Sequence, residues 1–231
     1  MSDIDPMLLP VHSIAELTEL STSFAMRIIL RRRAAANLIR KHIVIRPEMV
    51  RGVDEYCGNV LGGRFVVGLH LRGTDKFLEH PPPDLDLVFR QIEQVTAGRP
   101  EPSWRLFVAT DDARLLERVK TWFGDHAIFR DVLRSENGHA LHTAVPVDAW
   151  ERGPHGEEPF PAMVRRPAFQ IGLEAIQDAL LLSRSNVFFG SSSCLSYFVA
   201  AYNSDLPWLH VDKSDPPWKR DDLIRASING T

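Results

Sequence analysis

Arg64-Phe65-Val66-Val67-Gly68-Leu69-His70-Leu71 runs directly into Arg72-Gly73-Thr74-Asp75-Lys76. The first part, behind the breaking pair Gly62-Gly63, is a short apolar run with the length and content of a buried strand. The second part is polar and suits no core. The same sequence of events recurs twice. Trp104 to Ala109 ends in Thr110-Asp111-Asp112, and Asn186 to Gly190 ends in Ser191-Ser192-Ser193.

Around these strands the apolar residues recur at helical spacing. Asp84, behind Pro81-Pro82-Pro83, predicts the cap of a helix carrying Leu87, Val88, Ile92 and Val95. Asp111 and Asp112 open a helix with Leu115, Leu116, Val119 and Trp122. Ala127 to Phe129 reads as a weaker strand, Ala168 to Leu182 and Cys194 to Tyr202 as helices, and Pro207 to Val211 as the last strand. Residues 134–165 show no period and predict a long connection. Upstream, Leu17 to about Ile43 reads helical, and Pro47 starts a second helix from Glu48 to about Leu61. The alternation predicts an α/β fold: a Rossmann-like parallel sheet with flanking helices over 63–231, preceded by an N-terminal helical segment over 1–62. Open sheets of this kind bind ligands at the carboxyl ends of their strands. The three polar runs sit there, and they mark the candidate site.

Composition narrows the function classes. The 231 residues are 44% hydrophobic and 25% charged, enough apolar material for one sizeable core. A net charge of −3 argues against a general nucleic-acid binder. Cys57 and Cys194 are too few for a disulfide framework. No apolar stretch approaches the ~20 residues of a membrane span. The start Met-Ser-Asp-Ile-Asp-Pro lacks the basic-then-apolar order of a secretory signal. The expected setting is cytoplasmic, with no membrane span and no nucleic-acid partner. The basic run Arg31-Arg32-Arg33, with Arg40 and Lys41, reads as a solvated helix face.

Each strand end has a functional and a bland reading. A guanidinium at the mouth of a sheet suits bidentate binding of phosphate oxygens, so Arg72 is a candidate anion ligand. Its bland role is a salt bridge with Asp75 or Asp111. Ser191-Ser192-Ser193 opens a helix, where backbone N–H groups and the helix dipole attract an anion. One serine would suffice for capping alone. His70 shares a strand face with Arg72, yet a lone strand histidine is usually a hydrogen-bonded core residue. Asp111 and Asp112 are explained by capping. Asp178 lies in an apolar helix; its carboxylate either faces solvent, which its spacing favours, or reaches a base or sugar amino group at the sheet edge.

Several motifs fail. Asp84-Leu85-Asp86 resembles a metal-binding Asp-x-Asp but starts a helix. His139 and His142 have no supporting ligand set, so no metal site is expected. Phosphate-loop, dinucleotide-loop and nucleophile-elbow signatures are missing from the sequence. Cys194 reads as a small buried residue rather than a nucleophile.

Val67 to Lys76 resembles the signature of the α-1,6-fucosyltransferases, the nodulation and N-glycan core enzymes of the wider protein O-fucosyltransferase superfamily. Phe107-Val108-Ala109-Thr110-Asp111-Asp112 resembles their second motif. Asp178-Ala179-Leu180-Leu181-Leu182-Ser183, followed by Ser191-Ser192-Ser193, resembles their third. The match covers roughly residues 40–212. It implies the GDP-fucose-binding half of a two-domain, GT-B-like glycosyltransferase that inverts at the sugar without a metal or other cofactor. It implies that Arg72 binds the donor β-phosphate, that His70 and Asp178 contact the nucleotide, and that Ser191, Ser192 and Ser193 hold phosphate oxygens. Asp75 and Lys76 would order the loop or the donor, Asp111 and Asp112 would organise the site, and Glu79 is the nearest match to the catalytic carboxylate. Arg72, Lys76, Glu79 and Asp111 are therefore the implied catalytic set. Two departures stand out. Gly73 occupies the place of the family's second arginine, and only one nucleotide-fold-sized domain is present. The expected partners are a nucleotide sugar, a glycan acceptor, and a partner chain or further domain that completes the acceptor side. The alternative is a non-catalytic nucleotide-sugar or glycan-binding module derived from such an enzyme.

Overall fold

A computed structural model describes residues 32–74, 83–138, 150–151, 160–191 and 193–211. Two helices, α1 (32–42) and α2 (Pro47–Tyr56), precede strand β1 (Phe65–Leu71). Then come α3 (Leu85–Thr96), β2 (Trp104–Thr110), α4 (Ala113–Phe123) and β3 (Ala127–Ile128). The short strands β4 (Trp150–Glu151) and β5 (Phe160–Pro161) lead to α5 (Ala162–Leu182), β6 (Val187–Gly190), α6 (Cys194–Tyr202) and β7 (Trp208–His210).

Five strands form one sheet in the order β3-β2-β1-β6-β7, and every pairing in it is parallel. This is the α/β architecture that the strand–helix alternation predicts. The chain moves outward from β1 to β2 and β3, then returns to the other side of β1 with β6 and β7. The order therefore reverses between β1 and β6, and in open sheets the ligand crevice lies outside the carboxyl ends at such a reversal. Register brings the polar runs level there: His70 lies opposite Ala109 on one side and Gly190 on the other.

Alternation along the strands sorts the core into two layers. Val67, Leu69 and Leu71, all fully buried, pack with Leu106 and Val108 against Val88, Phe89 and Ile92 of α3 and Leu116 and Val119 of α4. Burying each such side chain contributes about 1.5–3 kcal/mol. The opposite face carries Val66, Phe107, Ala109 and Phe188 under Val53 of α2, Ala179 to Leu182 of α5 and Val199 of α6. His70 belongs to that second face by its parity, and Arg72 continues it.

The structure corrects several local expectations. The second helix does end at Leu61 as expected, but its last stretch, Cys57–Leu61, is a π-helical turn, closed by the Gly62 N–H donating to the Cys57 carbonyl at 2.9 Å. Helix α5 is already formed at Ala162, inside the connection expected over 134–165, and the antiparallel β4–β5 pair also falls there. Two-residue strands leave no readable alternation. Trp122 is not core: it is 44% exposed, lies against Phe89 and donates its indole N–H to Glu93 at 2.9 Å. Phe123 takes the buried place because Leu116, Val119 and Phe123 form the inward stripe of α4. The basic run is not merely a solvated face either. Arg32 donates to the carbonyls of Ala200, Asn203 and Leu206, at 2.8, 3.1 and 2.8 Å. It thereby ties the start of α1 to the last turn of α6, at Ala200, and to the turn that follows, at Asn203 and Leu206. Among the described residues, no helix is long and apolar enough to cross a membrane.

Candidate functional site

The crevice is built from the end of β1 and the start of α6. Ser193 has extended backbone angles and caps α6, its hydroxyl accepting from the Ser196 N–H at 3.2 Å. One helical turn then places the Ser196 hydroxyl 2.8 Å from His70 Nδ1, with the Ser193 hydroxyl at 3.4 Å from the same nitrogen. The Ser191 N–H donates to the His70 carbonyl at 3.3 Å. All four residues are buried. The Ser191 hydroxyl is buried with no hydrogen-bond partner among the described residues. An unpartnered buried hydroxyl costs free energy, and here it stands beside the N-terminus of a helix, where anions are stabilised.

The loop after β1 is held by Asp111. Its Oδ1 accepts from the Gly73 N–H at 2.9 Å, and its Oδ2 from the Thr74 hydroxyl at 2.8 Å. Arg72 Nε lies 3.9 Å from Oδ2, and the Arg72 side chain is 38% exposed. The strong contacts of Asp111 thus go to the loop backbone and Thr74, and its link to Arg72 is long. Gly73 is required by close approach. A Cβ there would lie 2.4 Å from Leu115 Cδ1 and 2.8 Å from Asp112 Cβ. The position after Arg72 is packed against Leu115 of α4 and the Asp112 stem.

Asp112 is an N-cap and half of an ion pair. Its Oδ1 accepts from the Arg114 N–H at 2.8 Å and from Arg114 Nε at 3.1 Å, and its Oδ2 from Nη2 at 2.6 Å. Burial pushes its carboxyl upward, yet the hydrogen bonds and charge of Arg114 outweigh this and hold it below the usual carboxylate range. Backbone bonds from Ser135 to Asp111 and from Ala113 to Ser135 dock the 135 region onto this turn.

Asp178 does not face solvent, contrary to the reading of its helix spacing. It is buried on α5, and Arg130, two residues beyond β3, donates from Nη1 to its Oδ1 at 3.0 Å. The same guanidinium donates to the Glu174 carbonyl at 3.2 Å and to the Gln177 side chain. Burial raises the Asp178 carboxyl above the usual range, against the charge and hydrogen bond of Arg130. The solvent reading failed because the counter-ion comes from a residue 48 positions away.

Of the remaining expected site residues, Asp75, Lys76, Glu79 and Ser192 lie outside the described residues. Cys194, expected to be buried, is exposed at the start of α6. Among the described residues, no three His, Cys, Asp or Glu side chains are gathered so as to hold a metal ion. Ser196, Thr74, Arg114 and Arg130 were not singled out in the sequence. For Ser196 and Arg114 a signal exists: each stands within one turn of a helix start, where side chains fold back on the cap. The described residues at these strand ends supply a guanidinium, an imidazole, serine hydroxyls and a helix N-terminus, a set suited to an anionic ligand.

No family model and no curated protein matches this chain. Among solved structures it is similar to a NodZ alpha-1,6-fucosyltransferase co-crystallised with GDP, at 19% identity and a TM-score of 0.48 over 74% of this chain and 46% of that one. It is also similar to the fucosyltransferase NodZ from Bradyrhizobium, at 20% identity and a TM-score of 0.48 over 77% and 49% of the two chains. An Arabidopsis thaliana FUT1 variant in complex with GDP matches at 16% identity and a TM-score of 0.37, over 70% and 32%. The chain spans about half the length of the NodZ chains it matches.

Proposed function

We propose that this chain is the donor-binding half of a glycosyltransferase of fucosyltransferase type, moving fucose from GDP-fucose to a glycan hydroxyl. One observation carries the reading. The strand ends that bear the three resembling motifs lie side by side in one parallel sheet, His70 reaching the first turn of α6 and Arg72, at the end of the same strand, standing 3.9 Å from Asp111 at the end of β2. On this reading Arg72 and the α6 N-terminus grip the diphosphate, with Ser191, Ser192 and Ser193 on its oxygens. Fixed positive charge and backbone N–H groups then stabilise the leaving group without a metal. His70 touches the nucleotide, and Asp178, held by Arg130, reads the guanine. Asp111 shapes the Arg72 loop, Asp112 secures α4 beneath it, Asp75 and Lys76 continue that loop, and Glu79 supplies the base in an inverting displacement. The glycan acceptor approaches from a partner chain or a further domain.

Calorimetric titration of the chain with GDP, UDP and GDP-fucose tests the donor assignment. Binding of GDP and GDP-fucose over UDP is expected, and no binding, or a preference for UDP, overturns it. A second reading, a non-catalytic nucleotide-sugar or glycan-binding module, draws on Gly73, whose packed position leaves no room for a second arginine. It predicts GDP affinity without any release of GDP from GDP-fucose. Release that disappears in Glu79→Gln rejects that module.

A further inference from the structure

Helices α5 and α6 turn into β6 and β7 at the amino ends of those strands, the end of the sheet opposite His70 and Arg72. There a pocket of about 340 Å³ opens, walled by Arg40 of α1, Arg184 before β6, Tyr202 at the end of α6, and Ser204 and Asp205 before β7. Its volume is that of a small-molecule site. Bonds of its own fix its frame. The Asn203 side chain donates to the Ser183 carbonyl at 2.8 Å, and Arg32 donates to the Asn203 and Leu206 carbonyls at 3.1 and 2.8 Å.

Three groups on the wall are uncommitted. Among the described residues, nothing bonds the Arg40 guanidinium, the Tyr202 hydroxyl or the Ser204 hydroxyl. Ser204 is only 8% exposed, so its hydroxyl has little water to turn to. All three can donate. Charge points the same way. Asp205 lies 3.5 Å from Arg33 and Asp54 2.9 Å from Arg184, so both carboxylates beside the pocket already have a guanidinium. Arg40 and Arg32, the latter half-buried among carbonyls, are the positive charges in excess.

We propose that this pocket binds a phosphate dianion, free or as a small ester, with Arg40 and the Ser204 and Tyr202 hydroxyls on its terminal oxygens. Three donors meet three acceptor oxygens, and two guanidiniums balance a charge near −2. A carboxylate would bring one charge and two oxygens. The pocket holds more than a bare phosphate, so the organic part of an ester fits beside it. The site lies at the far end of the sheet from the proposed donor site and goes beyond that reading.

The test is an amide-shift titration of the nitrogen-15-labelled chain, near neutral pH and at constant ionic strength, with inorganic phosphate, a hexose phosphate and the plain hexose. Saturable shifts at the Tyr202, Asn203 and Ser204 amides are expected with the first two and not with the hexose. Tighter binding of the hexose phosphate assigns the site to an ester, and equal affinities assign it to free phosphate. Arg40→Gln should weaken binding about tenfold or more, and Ser204→Ala roughly twofold to tenfold. Neither side chain bonds within the chain, so both variants should melt with the wild type, and Tyr202→Phe is the further variant should one of them fold poorly. Shifts that never saturate, or equal binding in wild type and Arg40→Gln, overturn the proposal. So does phosphate binding that survives Arg40→Gln and disappears in Arg72→Ala, which places the anion at the strand carboxyl ends instead. Arg40→Gln should leave GDP affinity unchanged. Failure of the wild-type chain to bind GDP therefore strikes the donor reading and leaves this pocket to its own titration.

Discussion

Replacing Arg130 with methionine removes the counter-ion of Asp178 while keeping most of the packed stem. The Asp178 side chain is 11% exposed and that of Arg130 18%, so little water reaches the pair, and Arg134 stays as the weaker positive charge acting on Asp178. Stranding one member of a buried pair costs about 3–5 kcal/mol. For a chain of this size that corresponds to a fall in melting temperature of roughly 6–20 °C. The penalty depends on pH in a definite sense. The Asp178 carboxyl is already raised above its unfolded value by burial, and losing Arg130 raises it further. A raised carboxyl contributes full stability below the unfolded value and loses it as pH rises through the folded one. Urea unfolding should therefore show the largest deficit of Arg130→Met at pH 8 and a smaller one near pH 4.5. Adding Asp178→Leu should recover much of the loss, because an apolar pair leaves no charge stranded. A deficit under about 1 kcal/mol that is flat across pH, or a double variant no better than the single, would refute the claim that burial makes this pair critical.

Gly73→Ala forces a Cβ to within 2.4 Å of Leu115 Cδ1 and should cost about 1–3 kcal/mol of stability by chemical denaturation; unchanged stability means the loop is not packed as described. Asp112→Ala removes both the α4 cap and the Arg114 pair, at about 1–3 kcal/mol at neutral pH. Because Asp112 is held below its unfolded value, that stability is lost as pH falls through the folded value, so unfolding curves of variant and wild type should converge only well into acid. The pair of Arg72 with Asp111 is long, at 3.9 Å, and partly exposed, so losing that pair in Arg72→Ala should cost about 1 kcal/mol or less. The same variant should lower GDP affinity by roughly tenfold to a hundredfold, and Arg72→Lys should not restore it. Lowered thermal stability with intact GDP affinity would make Arg72 a structural residue.

The sheet was legible because its strands are buried on both faces and read as apolar runs ending in polar turns. Their number and their order along the chain follow from that pattern, whereas the place of β6 beside β1 comes from pairings that no local run encodes. Residues 127 and 128 are a two-residue strand, too short to set its own limits, and its neighbour Arg130 gave no local sign of its partner on α5. Arg32 likewise reads as one of a basic run, yet it serves α6 across 168 positions in sequence. Long polar side chains that satisfy distant carbonyls or carboxylates leave no periodic trace. Capping chemistry does, which is why Ser193 and Asp112 were found at their helix starts and Asp178 was misplaced.

Gly73 joins the fold to the chemistry most tightly. A second arginine after Arg72 would add charge for a leaving diphosphate, but here the backbone at that residue gives its N–H to Asp111 and lies against Leu115 and the Asp112 stem. The loop is thus held by one carboxylate and one close contact, and only the side chains on either side project from it. Thr74 is buried and donates to Asp111, while Arg72 is the partly exposed cation. Among the described residues of this loop, Arg72 is the cation. Gly73→Arg does not convert the loop into a two-arginine one: its Cβ meets α4 before the guanidinium reaches the crevice. The expected result is lower stability than Gly73→Ala with no gain in GDP affinity. A stable Gly73→Arg chain that binds GDP more tightly than wild type would show that the loop can lift from α4 at little cost, and that Gly73 is not what limits the charge at this site.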